Sequence, residues 1–157
     1  MIIKTQKKLT QKLPTFNITP SVLLVVAPYY APITNQLISG ATEVLKGASA
    51  KIDLVEVPGA LEIPTVISLA SNDFSGFIAL GCVIRGETSH YETVSSESSR
   101  ALSNLGLTGI CIGNGILTVE NYEQADERAN PLLQNKGGLA AIASLTLINL
   151  KNRFNLK

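Results

Sequence analysis

The sequence predicts an α/β sandwich built on a four-stranded parallel sheet. Three observations carry that expectation. Four short apolar runs recur along the 157 residues, longer amphipathic stretches separate them, and no internal repeat, low-complexity segment or linker divides the chain. Strand and helix thus alternate four times, which calls for parallel strands, right-handed crossovers and helices on both faces.

The apolar runs are residues 22–27, 52–57, 77–84 and 109–112. Continuous Val, Ile and Leu without polar alternation reads as a strand covered on both faces, so all four are expected to be buried. Between them, residues 34–46 carry Leu37, Ile38, Ala41, Val44 and Leu45 at spacings of three and four, and Gly47 follows as the C-cap. Residues 61–70 form a second helix, with Pro64 tolerated in the first turn. A third, 90–105, is polar on one side through Glu92, Ser95, Ser96 and Ser99. A short fourth covers 121–129, and a longer last helix, 139–154, follows a break at Gly137 and Gly138. The architecture expected is a flavodoxin-like three-layer αβα sandwich. It forms a single domain over residues 21–157, preceded by a tail, 1–20, partly disordered or packed on a neighbouring subunit.

Composition narrows the function classes. Net charge is +1 with scattered basic residues, which lacks the electrostatic footprint of a nucleic-acid binder. The basic cluster at Lys4, Lys7, Lys8 and Lys12 reads as a solvated terminus or as a polyanion-binding or targeting arm. The longest apolar runs fall far short of the roughly 20 residues of a membrane span. No signal-peptide core follows the basic terminus, and Cys82 and Cys111 lack zinc or C-x-x-C spacing. A cytoplasmic protein with two reduced thiols and no metal is expected. With 45% apolar and 16% charged residues and a mean hydropathy of +0.24, the chain has apolar surface to spare for subunit contacts.

Ligands of open parallel sheets bind outside the carboxyl ends of the strands, so four loops should carry the chemistry: 28–32, 58–62, 85–89 and 113–118. In V-I-R-G-E-T-S-H, 83–90, a turn ending in Thr88, Ser89 and His90 at a helix start suits a phosphate, and equally suits an ordinary helix cap. His90 is the only histidine and follows a polar turn; it is a proton-transfer candidate or a surface residue. Arg85, near Glu87, reads as an anion contact or as an ion pair. In V-P-G-A-L-E-I-P, 57–64, Gly59 and Ala60 let a flat ligand approach the backbone, and Glu62 can accept its hydrogen bonds, or serve as a helix first-turn carboxylate. Tyr29 and Tyr30, between Pro28 and Pro32, can stack on a planar ring or pack at a subunit contact. Arg128 and Lys136 can reach a phosphate or remain solvated.

Taken together, V-P-G-A-L-E-I-P, L-G-C-V-I-R-G-E-T-S-H-Y at 80–91, G-I-L-T-x-E-N at 115–121, E-Q-A-x-E-R-A at 123–129 and N-K-G-G at 135–138 resemble the lumazine synthases in order and spacing, over residues 22–150. The resemblance implies an enzyme that condenses 5-amino-6-(D-ribitylamino)uracil with 3,4-dihydroxy-2-butanone 4-phosphate, releasing phosphate and water, without a cofactor. It places the uracil against Tyr29 and along Cys82, Val83 and Ile84, with Gly59, Ala60, Leu61 and Glu62 holding the uracil and ribityl groups. It places the phosphate at Glu87 and Thr88 and near Arg128, and makes His90 the proton-transfer residue.

Three departures from the family pattern stand out. Pro28-Tyr29-Tyr30 replaces a usual Arg-Phe-Asn; Leu61 and Asn114 stand where Phe is frequent; and Leu132 replaces a second basic residue, leaving Lys136 as the nearer substitute. Asn114 thus takes an aromatic's place against the uracil. The resemblance also implies a homo-oligomer, a ring of five or a multiple of it, with sites shared between neighbours, and riboflavin synthase as a candidate partner. Two other classes compete: a flavin-binding electron carrier, disfavoured by a loop at 28–32 poor in hydroxyls, and a non-catalytic lumazine or flavin binder, disfavoured by retention of His90 and Arg128.

Overall fold

The computed structural model describes residues 12–155. Its apolar runs become four parallel strands, β1 (Ser21–Val26), β2 (Lys51–Glu56), β3 (Gly76–Ile84) and β4 (Ile112–Val119), ordered β2-β1-β3-β4. Five helices accompany them: α1 (Ala31–Gly47), α2 (Ile63–Leu69), α3 (His90–Leu107), α4 (Tyr122–Ala129) and α5 (Lys136–Asn155). The chain steps from β1 to β2 in one direction and from β3 to β4 in the other. With right-handed crossovers, that reversal puts α1 on one face and α2 and α3 on the opposite face.

Side-chain alternation along β1 separates the two halves of the core. Val22, Leu24 and Val26 pack with Ile33, Leu37, Leu45, Ala125, Ala141 and Leu145 beneath α1, α4 and α5. Leu23, Val25 and Ala27 pack with Ile63, Ile67, Phe77 and Leu102 beneath α2 and α3. The result is the three-layer sandwich expected. Residues 1–11 of the expected tail lie outside the described residues, while Leu13 and Phe16 pack against the α1 side of the core of their own chain.

Several local expectations are corrected. The run 52–57 was expected to be buried on both faces, but β2 is an edge strand and leaves Leu54 38% and Val55 37% exposed. Helix α1 starts three residues before Thr34, with Pro32 in its first turn, so Ala31 and Pro32 of the expected loop 28–32 are helix. Gly47 is its last helical residue, and the left-handed backbone falls on Ser49, at φ 55°.

The largest correction concerns β4. The run 109–112 ends where the strand begins, and 113–118, expected as a ligand loop, is the strand itself. Gly113 and Gly115 face α5 and serve packing: a Cβ on Gly113 would overlap the Ala140 carbonyl, and one on Gly115 would lie 2.7 Å from Leu80 Cδ2. The Gly137-Gly138 break has the same cause. Both glycines lie inside α5, and a Cβ on Gly137 would run into the Leu37 carbonyl of α1. Glycines that read as loop punctuation are there to let backbones touch.

Gly137→Ala is therefore expected to cost about 1–3 kcal/mol through overpacking. Gly106→Ala, in α3, where an added methyl meets nothing within 4 Å, is expected to be neutral or stabilising by about 0.5–1 kcal/mol. Urea unfolding of both variants at one chain concentration checks this. Equal midpoints would show that the α1–α5 approach has room to spare.

Candidate active site

Three chain segments converge at the carboxyl ends of β1 and β3, the place where the strand order reverses, and enclose a cleft of about 500 Å³. The end of β1 supplies Ala27, Tyr29 and Tyr30. The turn after β2 supplies Pro58, Gly59, Ala60, Leu61 and Glu62. The end of β3 and the start of α3 supply Cys82, Val83, Ile84, Gly86, Thr88, His90, Tyr91 and Val94.

Each segment is tied to the sheet. Ala27 N–H donates to Leu80 O at 2.9 Å, Val57 N–H to Val26 O at 2.8 Å and Arg85 N–H to Val119 O at 2.9 Å, so the ladder continues to the rim of the cleft. Tyr30 is the N-cap residue of α1: its carbonyl accepts the N–H groups of Ile33 and Thr34, each at 3.0 Å. Its ring meets that of Tyr29 edge to face, with centroids 4.9 Å apart and planes at 70°. Tyr29 is 76% exposed, so its ring is free to receive a planar group.

Gly59 has an extended backbone, φ −153°, that any residue adopts, so conformation does not demand glycine there. Space is close there: the Glu62 carboxylate lies 3.0 Å from where a Cβ would stand, folded back over Gly59 by the 3-10 turn Ala60–Glu62, so an added methyl would push that flexible side chain aside. His90 is exposed at the first position of α3, and its N–H donates to Thr88 Oγ1 at 3.3 Å.

Of the residues expected to form the site, Tyr29, Gly59, Ala60, Leu61, Glu62, Cys82, Val83, Ile84, Thr88 and His90 line this one cleft. Glu87 lies in the same turn without lining it. Asn114, Arg128 and Lys136 are elsewhere. Asn114 sits on the exposed face of β4 and borders a second cleft, with Leu102, Leu107 and Phe154, between the C-terminal parts of α3 and α5. Arg128 ends α4 and donates to Gln124 O at 3.1 Å, and Lys136 opens α5. Among the described residues, no Lys or Arg lines the cleft that holds His90.

Tyr91 and Val94 joined the cleft without having been singled out. They belong to the first turn of α3 three residues apart, so helical spacing puts them on the face that carries the loop forward into the cleft. Arg85 proves to be an ion-pair residue: it bonds Glu92 of α3, and its Nε donates to Glu120 Oε2 at 2.8 Å. The Arg85 guanidinium holds the Glu92 carboxyl below its ordinary range, so the pair persists at neutral pH and is released only as acid protonates Glu92.

Burial pushes the Cys82 thiol up to about 11 and also raises the Tyr30 phenol, to which Tyr29 and Cys82 add. Both are therefore neutral at physiological pH, and Cys82 offers the cleft a small apolar wall instead of a nucleophile. Alkylation of Cys82 by iodoacetamide at pH 8 is expected to be on the order of a hundredfold slower in the native protein than in the unfolded chain. Peptide mapping of alkylated native and urea-unfolded samples checks this, and equal rates would show that the cleft wall opens freely.

Comparison with known proteins shows the family of the chain. The sequence model of the 6,7-dimethyl-8-ribityllumazine synthase family matches residues 19–152. The enzyme of that name from Jannaschia sp. (strain CCS1) is 51% identical over 144 residues, covering 90% of this chain and 81% of its own. That from Bartonella tribocorum is 52% identical over 139 residues, covering 86% and 92%, and that from Zymomonas mobilis 49% over 135 residues, covering 85% and 97%. The chain belongs to the 6,7-dimethyl-8-ribityllumazine synthase family.

Proposed function

We propose that the cleft between the ends of β1 and β3 condenses 5-amino-6-(D-ribitylamino)uracil with 3,4-dihydroxy-2-butanone 4-phosphate to 6,7-dimethyl-8-ribityllumazine, releasing phosphate and two waters, the penultimate step of riboflavin biosynthesis. One observation carries the reading: three segments distant in sequence bring an exposed aromatic ring, a glycine-backed carboxylate, a polar helix start and the only histidine into one cleft.

The uracil lies against Tyr29 and along Cys82, Val83 and Ile84, whose neutral, partly apolar wall suits a planar ring. Gly59, Ala60, Leu61 and Glu62 hold the uracil edge and ribityl chain, the carboxylate accepting from N–H and O–H groups. The phosphate sits at the turn before α3, where Thr88 offers a hydroxyl and Glu87 its backbone N–H, at the positive end of an 18-residue helix. An arylamine attacking a ketone needs orientation more than a strong base, so most of the acceleration comes from holding two substrates together. His90 moves the protons that water and phosphate loss require.

The site is completed across a subunit contact. One chain supplies the loops around Tyr29, Gly59 and His90; its neighbour supplies Asn114, Arg128 and Lys136. Support for this comes from the cleft itself, which among the described residues has no lysine or arginine lining it to meet a phosphate. Contacts are then head-to-tail and close into a ring of five or a multiple of it. The enzyme works in the cytoplasm, and riboflavin synthase is its candidate partner. No helix among the described residues is long and apolar enough to cross a membrane.

His90→Ala is expected to lower kcat by on the order of tenfold to a hundredfold while leaving uracil-analogue affinity nearly unchanged; an unchanged rate removes the proton-transfer role. Arg128→Ala is expected to raise KM for the phosphate substrate well beyond any change for the uracil. Equal effects on both substrates would make Arg128 structural. Rings assembled from mixed His90→Ala and Arg128→Ala chains are expected to regain activity, because some contacts pair an intact His90 with an intact neighbouring Arg128. Verified mixed rings without recovery would place both residues in one subunit's site.

A further inference from the structure

The turn that opens α3 is held weakly by its own residues. Ser89, the N-cap residue, makes no side-chain capping bond, and within 86–90 the 3.3 Å contact between His90 N–H and Thr88 Oγ1 is the one side-chain hydrogen bond among the described residues. His90 and Tyr91 nevertheless line the cleft from this turn. The group that anchors them lies just before it. Arg85 Nε donates to Glu120 Oε2 at 2.8 Å, at the end of β4, while an Nη1–H donates to Glu92 in the first turn of α3. The guanidinium carbon also lies 4.2 Å from the centroid of the Tyr91 ring. One planar cation thereby joins the ends of β3 and β4 to the start of α3 through two carboxylates and an aromatic face.

We propose that Arg85 is a positioning residue for the condensation, a clamp that sets His90 and Tyr91 against the cleft through Glu92, Glu120 and the Tyr91 ring. It is not an anion contact. Two carboxylates outnumber its single charge, its Nε and an Nη1–H are given to them, and it does not line the cleft. Nor is it a major support of the fold, since the side chain is 39% exposed and solvent-accessible ion pairs contribute little to global stability. Its effect is local: misplacing a reacting group by about 1 Å can slow a reaction by on the order of a hundredfold. The inference rests on the reading of the cleft given above.

The test compares Arg85→Ala, Glu120→Ala, the double variant and Arg85→Lys in the assembled enzyme. Each single alanine variant is expected to lower kcat about fivefold to twentyfold, with KM for both substrates within about twofold and the unfolding midpoint nearly unchanged. The double variant is expected to be no slower than Arg85→Ala, because the two residues act through one contact. Backbone amides of 86–91 are expected to exchange with deuterium about tenfold faster in both single variants and no faster in the double. Arg85→Lys keeps the charge but not the fork and is expected to recover little. Multiplying kcat losses, unchanged exchange in 86–91, a rise confined to the phosphate KM or full recovery by lysine would each overturn the clamp. A wild-type chain that fails to turn over the two substrates would refute the reading of the cleft, while the exchange comparison would still decide the clamp.

Discussion

Direct contact between backbones is the constraint on which the architecture rests. Helix α5 lies so close to α1 and β4 that a methyl group on Gly137 or Gly113 would overlap a carbonyl of the opposing element. Gly76 extends the same seam: a Cβ there would stand 2.6 Å from Ser144 Oγ. Ser144 itself donates to Cys111 O at 3.2 Å, closing a buried polar link between α5 and the approach to β4. A helix this near the sheet can cover the last strand without large side chains between them. That is why α5 begins on two consecutive glycines in its first turn, where a poor helix former is tolerated for the close approach it allows. Packing of the whole face outweighs the local preference.

The cleft follows from that placement. Covering β4 from the α1 side leaves α3 free to start at the end of β3 and to run along the other face, with its first turn at the carboxyl edge of the sheet. The same edge receives the turns after β1 and β2, because all four strands point one way. The reversal of strand order between β1 and β3 sends their connections to opposite faces and leaves the space between them unfilled by either helix. The side chains that line the cleft thus stand on strand ends, on short turns hydrogen-bonded to the sheet and on the start of α3, so that their position is inherited from the ladder.

The alternation of apolar runs and amphipathic stretches made the layer order legible in the sequence, and three of the four loops that the topology rule singled out border the cleft. The failures share a physical origin. Gly113, Gly115, Gly137 and Gly138 carry the residue type of turns, and sequence pattern cannot distinguish a glycine needed for a backbone bend from one needed for backbone approach. Edge position did leave a trace that was passed over: alone among the four apolar runs, 52–57 contains charged residues, Asp53 and Glu56, as suits a strand at the rim of a sheet. At the cleft, loop residues were found because loop composition is distinctive, while Tyr91 and Val94 were passed over because they look like any helix face. The role of Arg85 depended on Glu120, 35 residues away in sequence, which only the pairing of β3 with β4 brings within reach.

The charge balance of the cleft is the physical argument for the proposed site shared between subunits. Among the described residues its lining contains Glu62 but neither lysine nor arginine, and the adjoining turn adds Glu87. The nearby cation Arg85 is already spent on Glu92 and Glu120. A phosphate drawn into such a place by a helix terminus and a hydroxyl alone would sit beside uncompensated negative charge, and a terminus supplies only about half an elementary charge, screened by solvent. Yet Arg128 and Lys136, both half-buried, lie away from this cleft, with Arg128 bonded to nothing more demanding than a carbonyl in its own helix. A second copy that carries those two cations to the open side of the cleft resolves both mismatches in one contact. The same contact would give the apolar groups beside Asn114 a surface to meet, so electrostatics and burial favour the same assembly.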